Sequence, residues 1–170
     1  MAFAALLEKL ITFLPRLLQF WIVVEEFERV ARLRWGTNPK ELKPGFHFVA
    51  PFFIDTFHRD NVKKDTICEV SHITTTDNKT VSLQVVVLYK IEDIVKWAID
   101  TNDAKTNLNH ILAGVTTNVA TQLDWTELKK STTLTKIRNK LTTEVTDMGI
   151  KPLDVYFKTI AISKVLIIHL

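Results

Sequence analysis

His58 and Asp60 are the nearest approach to an acid–base pair in this 170-residue sequence. Two positions apart in a strand-like stretch, they share a face of the extended chain, so the carboxylate could orient the imidazole. No nucleophile completes the set, and an ordinary surface pair is the competing reading. The five histidines, His47, His58, His72, His110 and His169, show no metal-ligand spacing. With a single cysteine, Cys68, a structural zinc site is not expected either. Cys68 reads as a buried packing residue rather than a thiol nucleophile, because no feature places a base beside it. Asn78-Lys79-Thr80 is a formal glycosylation sequon of a kind that arises often by chance. Only four glycines are present, and no phosphate-cradling Gly-rich pattern occurs. Lys129-Lys130 and Lys136, Arg138, Lys140 read as a solvated helical face rather than a nucleic-acid patch. The net charge of +3 and pI near 9.0 are too mild for nucleic-acid binding. The residues therefore imply no catalytic site, no metal and no cofactor.

The elements point instead to a membrane. Hydrophobic content is 46%, enough for a folded core in one domain of two lobes. In residues 1–21, Glu8, Lys9, Thr12, Arg16 and Gln19 form one narrow polar stripe on a helix. Phe3, Leu6, Leu7, Leu10, Ile11, Phe13, Leu14, Leu17, Leu18 and Phe20 fill the rest, a wider apolar arc than a soluble surface helix needs. Pro15 kinks or splits this helix. A signal peptide, a spanning helix, an interfacial helix and a core helix of a soluble assembly are the four readings, of which the interfacial helix is favoured. Trp21 suits a lipid–water boundary. The membrane-binding set is Phe3, Leu6, Leu7, Leu10, Phe13, Leu14, Leu17, Phe20 and Trp21. Arg29, Arg32 and Arg34 follow it and would gain about 1 kcal/mol each from an anionic leaflet. Pairing with Glu25, Glu26 or Glu28 is the equal alternative.

Beyond the anchor, 22–24 and 29–35 read as strands around an acidic turn, and Gly36–Pro44 as a loop. The Lys43-Pro44-Gly45 corner turns into a strand over 46–50. Ile54–Asp60 and Lys64–Ile73 supply further strands. Val81–Ile91 is the central strand, and its unbroken Val85-Val86-Val87-Leu88-Tyr89 implies burial on both faces. Glu92–Ala98 is a short helix. Asp103–Leu123, capped by Thr101 or Asn102, carries Leu108, Ile111, Leu112, Val115, Val119 and Leu123 on one face. After a break at Asp124-Trp125, Thr132–Met148 repeats the pattern and Gly149 ends it. Lys151–Leu170 is strand again. Val165, Leu166, Ile167, Ile168 and Leu170 make a tail apolar on both faces, a candidate for self-association.

Residues 20–162 resemble the stomatin–prohibitin–flotillin superfamily and its SPFH or band-7 domain. Val24-Glu25-Glu26-Phe27-Glu28-Arg29-Val30 looks like that family's opening strand and acidic turn. Leu33-Arg34-Trp35-Gly36 is similar to its Arg-Leu-Gly segment, and Lys43 to Phe52 to its Gly-Pro-Gly-Leu-x-Phe-x-x-Pro-Phe corner. Thr76-Asp77-Asn78-Lys79-Thr80-Val81, Asp103-Ala104 and Met148-Gly149-Ile150 follow in the family's order. The resemblance implies an α+β SPFH/band-7-like fold: a mostly antiparallel sheet lobe (22–91), then a helix–helix–strand lobe (92–170), behind an N-terminal hydrophobic helix (1–21). Two features depart from the family. The sequence ends at Leu170, before the family's usual coiled-coil helix, and Cys68 does not match the palmitoylated cysteines of stomatins.

The function so implied is a non-enzymatic, membrane-associated oligomeric scaffold of the stomatin/prohibitin type, held largely on the cytoplasmic face. It would organise membrane patches or regulate a membrane protease or channel. Its partners would be membrane lipid and copies of itself, with no nucleic acid. A soluble structural subunit of a large particle such as a viral assembly is the alternative, and a hydrolase built on His58 and Asp60 is the third.

Overall fold

The computed structural model describes residues 20–50, 54–101 and 103–162. Most of the predicted N-terminal helix and the predicted tail Val165, Leu166, Ile167, Ile168 and Leu170 lie outside them. Phe20 and Trp21 are described and are not helical, since Trp21 opens the first strand. The chain forms two compact units, Met1–Val62 and Lys63–Leu170.

The first unit holds β1 (Trp21–Val24), β2 (Glu28–Arg34), β3 (Thr37–Leu42), β4 (Gly45–Phe48) and β5 (Asp55–Asn61). β1 pairs antiparallel with β4, while β3, β2 and β5 form a second antiparallel sheet in that order. Ile22, Val24, Val30 and Leu42 make its core, with Val49 and Phe57 packed against them. The stretch read as a loop, Gly36–Pro44, is mostly the strand β3. Trp35 (φ 57°) and Gly36 (φ 70°) form a two-residue turn with both residues left-handed, which closes the β2–β3 hairpin. Asn-Gly is the usual signal for such a turn, and Trp-Gly hides it. β3 tolerates Pro39 because it is an edge strand, where a proline can sit on the side without ladder bonds.

The second unit is a three-stranded antiparallel sheet with helices on one face. Its strands are β6 (Lys63–Thr74), β7 (Thr80–Ile91) and β8 (Ile150–Ile162), with β7 in the centre. The predicted division at residue 91 is thus displaced: β6 and β7 belong with the helices, because β8 returns from the far end of the chain to pair along β7. A turn of π-helix (Lys96–Asp100) leads to α1 (Ala104–Ala120), α2 (Trp125–Leu128) and α3 (Ser131–Glu144). α1 packs on β6, α3 on β8, and the two helices on each other. Leu108, Leu112, Val119, Ile137 and Leu141 are buried at the predicted helical spacing, whereas Ile111 is half-buried. Asp103, rather than Thr101 or Asn102, caps α1, its carboxylate accepting the Thr106 N–H.

β7 buries Val81, Leu83, Val85, Val87, Tyr89 and Ile91 towards the helices. The expected burial on both faces holds only at Val86. Leu88, on the same outer face, is 37% exposed, because among the described residues no layer covers that side. The β6–β7 connection turns at Asp77-Asn78, where the Asn78 N–H donates to the Thr75 carbonyl. The Lys79 ammonium, 2.8 Å from Asp77, and the Thr75 hydroxyl lower the Asp77 carboxyl pKa to about 2.

Candidate membrane-contact site

Alternation along β1 sends Ile22 and Val24 inward and leaves Trp21 and Val23 on the other face. Their partners in the ribbon are Phe48 and Phe46. Four large apolar side chains therefore share one exposed face: Trp21 at 53%, Val23 at 54%, Phe46 at 57% and Phe48 at 78%. The Phe46 and Phe48 rings meet edge to face, with centroids 5.2 Å apart. Phe20, also exposed, joins this ribbon to the apolar block that precedes it. A ribbon face in water is normally polar, so a contiguous apolar row marks a candidate contact surface. Phe27 and Trp35 add exposed rings elsewhere in the first unit.

Of the predicted membrane-binding residues, Phe20 and Trp21 fall on this surface. Phe3, Leu6, Leu7, Leu10, Phe13, Leu14 and Leu17 lie outside the described residues. Val23, Phe46 and Phe48 share the exposed face but are not among the predicted residues. Sequence shows that Phe46 and Phe48 share a face, but only the pairing with β1 shows that the face is open.

Arg29, Arg32 and Arg34 all have acidic partners, though not Glu25, Glu26 or Glu28. Arg29 pairs with Glu41. Arg34 lies directly across from Asp55 in the β2–β5 register and places Nε 3.0 Å from its Oδ1. Arg32 stands 3.9 Å from Asp55 Oδ2, which also accepts the Ala50 N–H at 2.9 Å. Glu28 pairs instead with Arg59. Burial by itself would raise the Asp55 carboxyl pKa. The Arg34 hydrogen bond, the Ala50 N–H and the two guanidinium charges outweigh it and hold the group below the usual carboxylate range. Its stabilising contribution is therefore full above the unfolded value of about 3.9 and is lost as pH falls through the folded value. Asp55→Asn should lower stability by about 2 kcal/mol at pH 7, a pair broken beside a half-exposed arginine. Urea unfolding at pH 7 and again near pH 3 checks this. The deficit should shrink at the lower pH, and a variant as stable as the parent at pH 7 refutes the assignment.

The residues considered for chemistry do not converge. His58 and Asp60 sit on β5, with Asp60 Oδ1 accepting the Asn61 N–H. Cys68 is buried under α1, its thiol 3.5 Å from the Asn109 carbonyl, and burial pushes its pKa up, away from nucleophilic character. Among the described residues no three His, Cys, Asp or Glu side chains gather as a metal site. No helix among them is long and apolar enough to cross a membrane.

A first unit of antiparallel strands and a second that joins an antiparallel sheet to helices define an α+β class of protein. The SPFH domain / Band 7 family matches over residues 19–168, and the chain belongs to that family. No curated protein matches it.

Proposed function

We propose that this chain is a non-enzymatic, membrane-associated scaffold of the stomatin/prohibitin type that self-associates on a bilayer and organises membrane patches or regulates a membrane protease or channel. The observation that carries the reading is the exposed row Trp21, Val23, Phe46 and Phe48, continuous in sequence with the apolar block ending at Phe20. Aromatic rings of this kind favour the headgroup boundary, and a broad apolar arc next to them favours the acyl chains. Arg29, Arg32 and Arg34 act on a lipid surface only through whatever charge Glu41 and Asp55 leave unscreened. The bulk of the chain then lies on one side of the bilayer, which we take as the cytoplasmic side.

Flotation with liposomes tests the anchor. The full chain should rise with the vesicles, and a form lacking residues 2–20 should largely stay behind. Leu10→Asp or Leu14→Asp should act like the truncation. Equal flotation of full and truncated forms removes the anchoring role of the block, and a discrete soluble oligomer without detergent favours the structural-subunit reading instead.

A further inference from the structure

Trp35 occupies a backbone conformation that its own side chain disfavours. Its φ of 57°, followed by 70° at Gly36, makes the mirror-image turn that Asn-Gly forms with little strain. A bulky residue in that left-handed region is a genuine outlier. Three residues on, Asn38 is left-handed as well (φ 51°), and the β2–β3 register shifts between Arg32 and Arg34. The core gains little from the indole in return, because Trp35 is 73% exposed. Backbone strain kept at an exposed side chain points to a contact made outside the fold.

Hydrogen bonds within the first unit place this hairpin tip. The Trp35 N–H donates to the Ile54 carbonyl at 2.7 Å, and Asp55 beside it accepts the Ala50 N–H at 2.9 Å. The Val49 N–H in turn donates to the Phe20 carbonyl at 2.9 Å. The three bonds run in series from the tip to Phe20, where the apolar block enters the unit. Phe27, also exposed, precedes β2 where Trp35 follows it, so the two rings stand at opposite ends of the unit, about 26 Å apart along the strand. From Arg34 to Lys40 the tip carries no acidic residue, so no like charge there holds it off phospholipid headgroups. Tryptophan is the side chain that a headgroup layer favours, with an apolar ring and a polar N–H. The Trp35–Ile54 bond and the Arg34–Asp55 pair fix the root of the tip, so the indole is presented with little left to order on contact.

We infer that the Trp35 tip of the β2–β3 hairpin is a second lipid contact, entering the headgroup layer at the end of the unit where the apolar block joins it. The inference rests on the membrane association proposed above. It adds a contact separate from the row Trp21, Val23, Phe46 and Phe48, and two contacts fix the tilt of the first unit on a bilayer where one leaves it free to swing.

Trp35→Asn in the full chain separates the turn from the indole. Asn-Gly suits this turn, so the variant should unfold at a higher urea concentration than the parent. It should nevertheless partition roughly tenfold more weakly into vesicles of phosphatidylcholine and phosphatidylglycerol. Phe27→Asn, which removes an exposed ring at the far end, should leave partitioning unchanged. A second readout follows the tip itself. The native thiol is buried at Cys68, so Trp35→Cys can be labelled with an environment-sensitive dye. Its emission should shift to the blue when vesicles are added, and the same dye on Phe27→Cys should not respond. A Trp35→Asn chain that partitions as the parent does, or that loses no more binding than Phe27→Asn, overturns the inference. A dye at position 35 that stays in water while the chain floats refutes the tip contact and leaves the scaffold reading standing. A full chain that does not float at all refutes both.

Discussion

Replacing Phe46 and Phe48 together by threonine should weaken binding of the full chain to liposomes roughly 100-fold while leaving the fold in place. The rings are 57% and 78% exposed, so little core packing is lost with them. Threonine keeps the β-branched character that suits a strand, so β4 should still pair with β1. Transferring each exposed ring out of water into the interface contributes about 1.5 kcal/mol. Two rings give about 3 kcal/mol, and each 1.4 kcal/mol is tenfold in a partition coefficient. The rings carry no charge, so the loss should be equal on zwitterionic and anionic vesicles. That equality distinguishes the aromatic row from a basic patch acting through Arg29, Arg32 and Arg34. A double variant that partitions as the parent does, with an unchanged circular dichroism spectrum, would show that the row faces protein or water and not lipid.

The parts of this molecule that could be read from sequence are those whose signal is local. Leu108, Leu112, Val119, Ile137 and Leu141 announce two helices by spacing alone, and each is buried. Gly149 after Met148 announces a left-handed stop, and it has φ 71°. The β6–β7 hairpin was legible because Asp77-Asn78 is good turn chemistry and Asn78 tolerates its φ of 55°. What was hidden depends on pairing between distant segments. Nothing local says that Trp21 lies opposite Phe48, so Phe46 and Phe48 were not grouped with Trp21 on one exposed face. Nothing local says that β8 crosses back to β7, so the division between units was placed near residue 91 when it falls at 62. The arginine partners were misplaced for the same reason. Glu25, Glu26 and Glu28 are near in sequence, but Glu41 and Asp55 stand across the sheet.

Gly149→Ala should be among the most damaging single-methyl additions to the second unit, at about 3–4 kcal/mol, with Gly36→Ala as its measure. The two glycines have nearly the same backbone, φ 71° and φ 70°. A side chain in that left-handed region costs roughly 1–2 kcal/mol at either position. Their surroundings differ. At Gly36 a Cβ meets nothing within 4 Å, so the conformational cost is the whole cost. At Gly149 it would lie 2.5 Å from the Asp93 carbonyl oxygen and 2.9 Å from Lys96 Cβ. That carbonyl is backbone and cannot rotate aside as a side chain would. The Gly149 carbonyl also accepts the N–H groups of Glu92 and Asp93, both at 2.9 Å, so moving one strand end moves the other. This knot joins the end of β7 to the start of β8, the crossing on which the three-stranded sheet depends. Relieving the overlap should cost about 2 kcal/mol more by distortion of a packed site. Urea titration followed by far-ultraviolet circular dichroism measures the two variants side by side. Equal losses for Gly149→Ala and Gly36→Ala would mean that the Glu92–Asp93 turn gives way freely and that the β7–β8 crossing is not locked there.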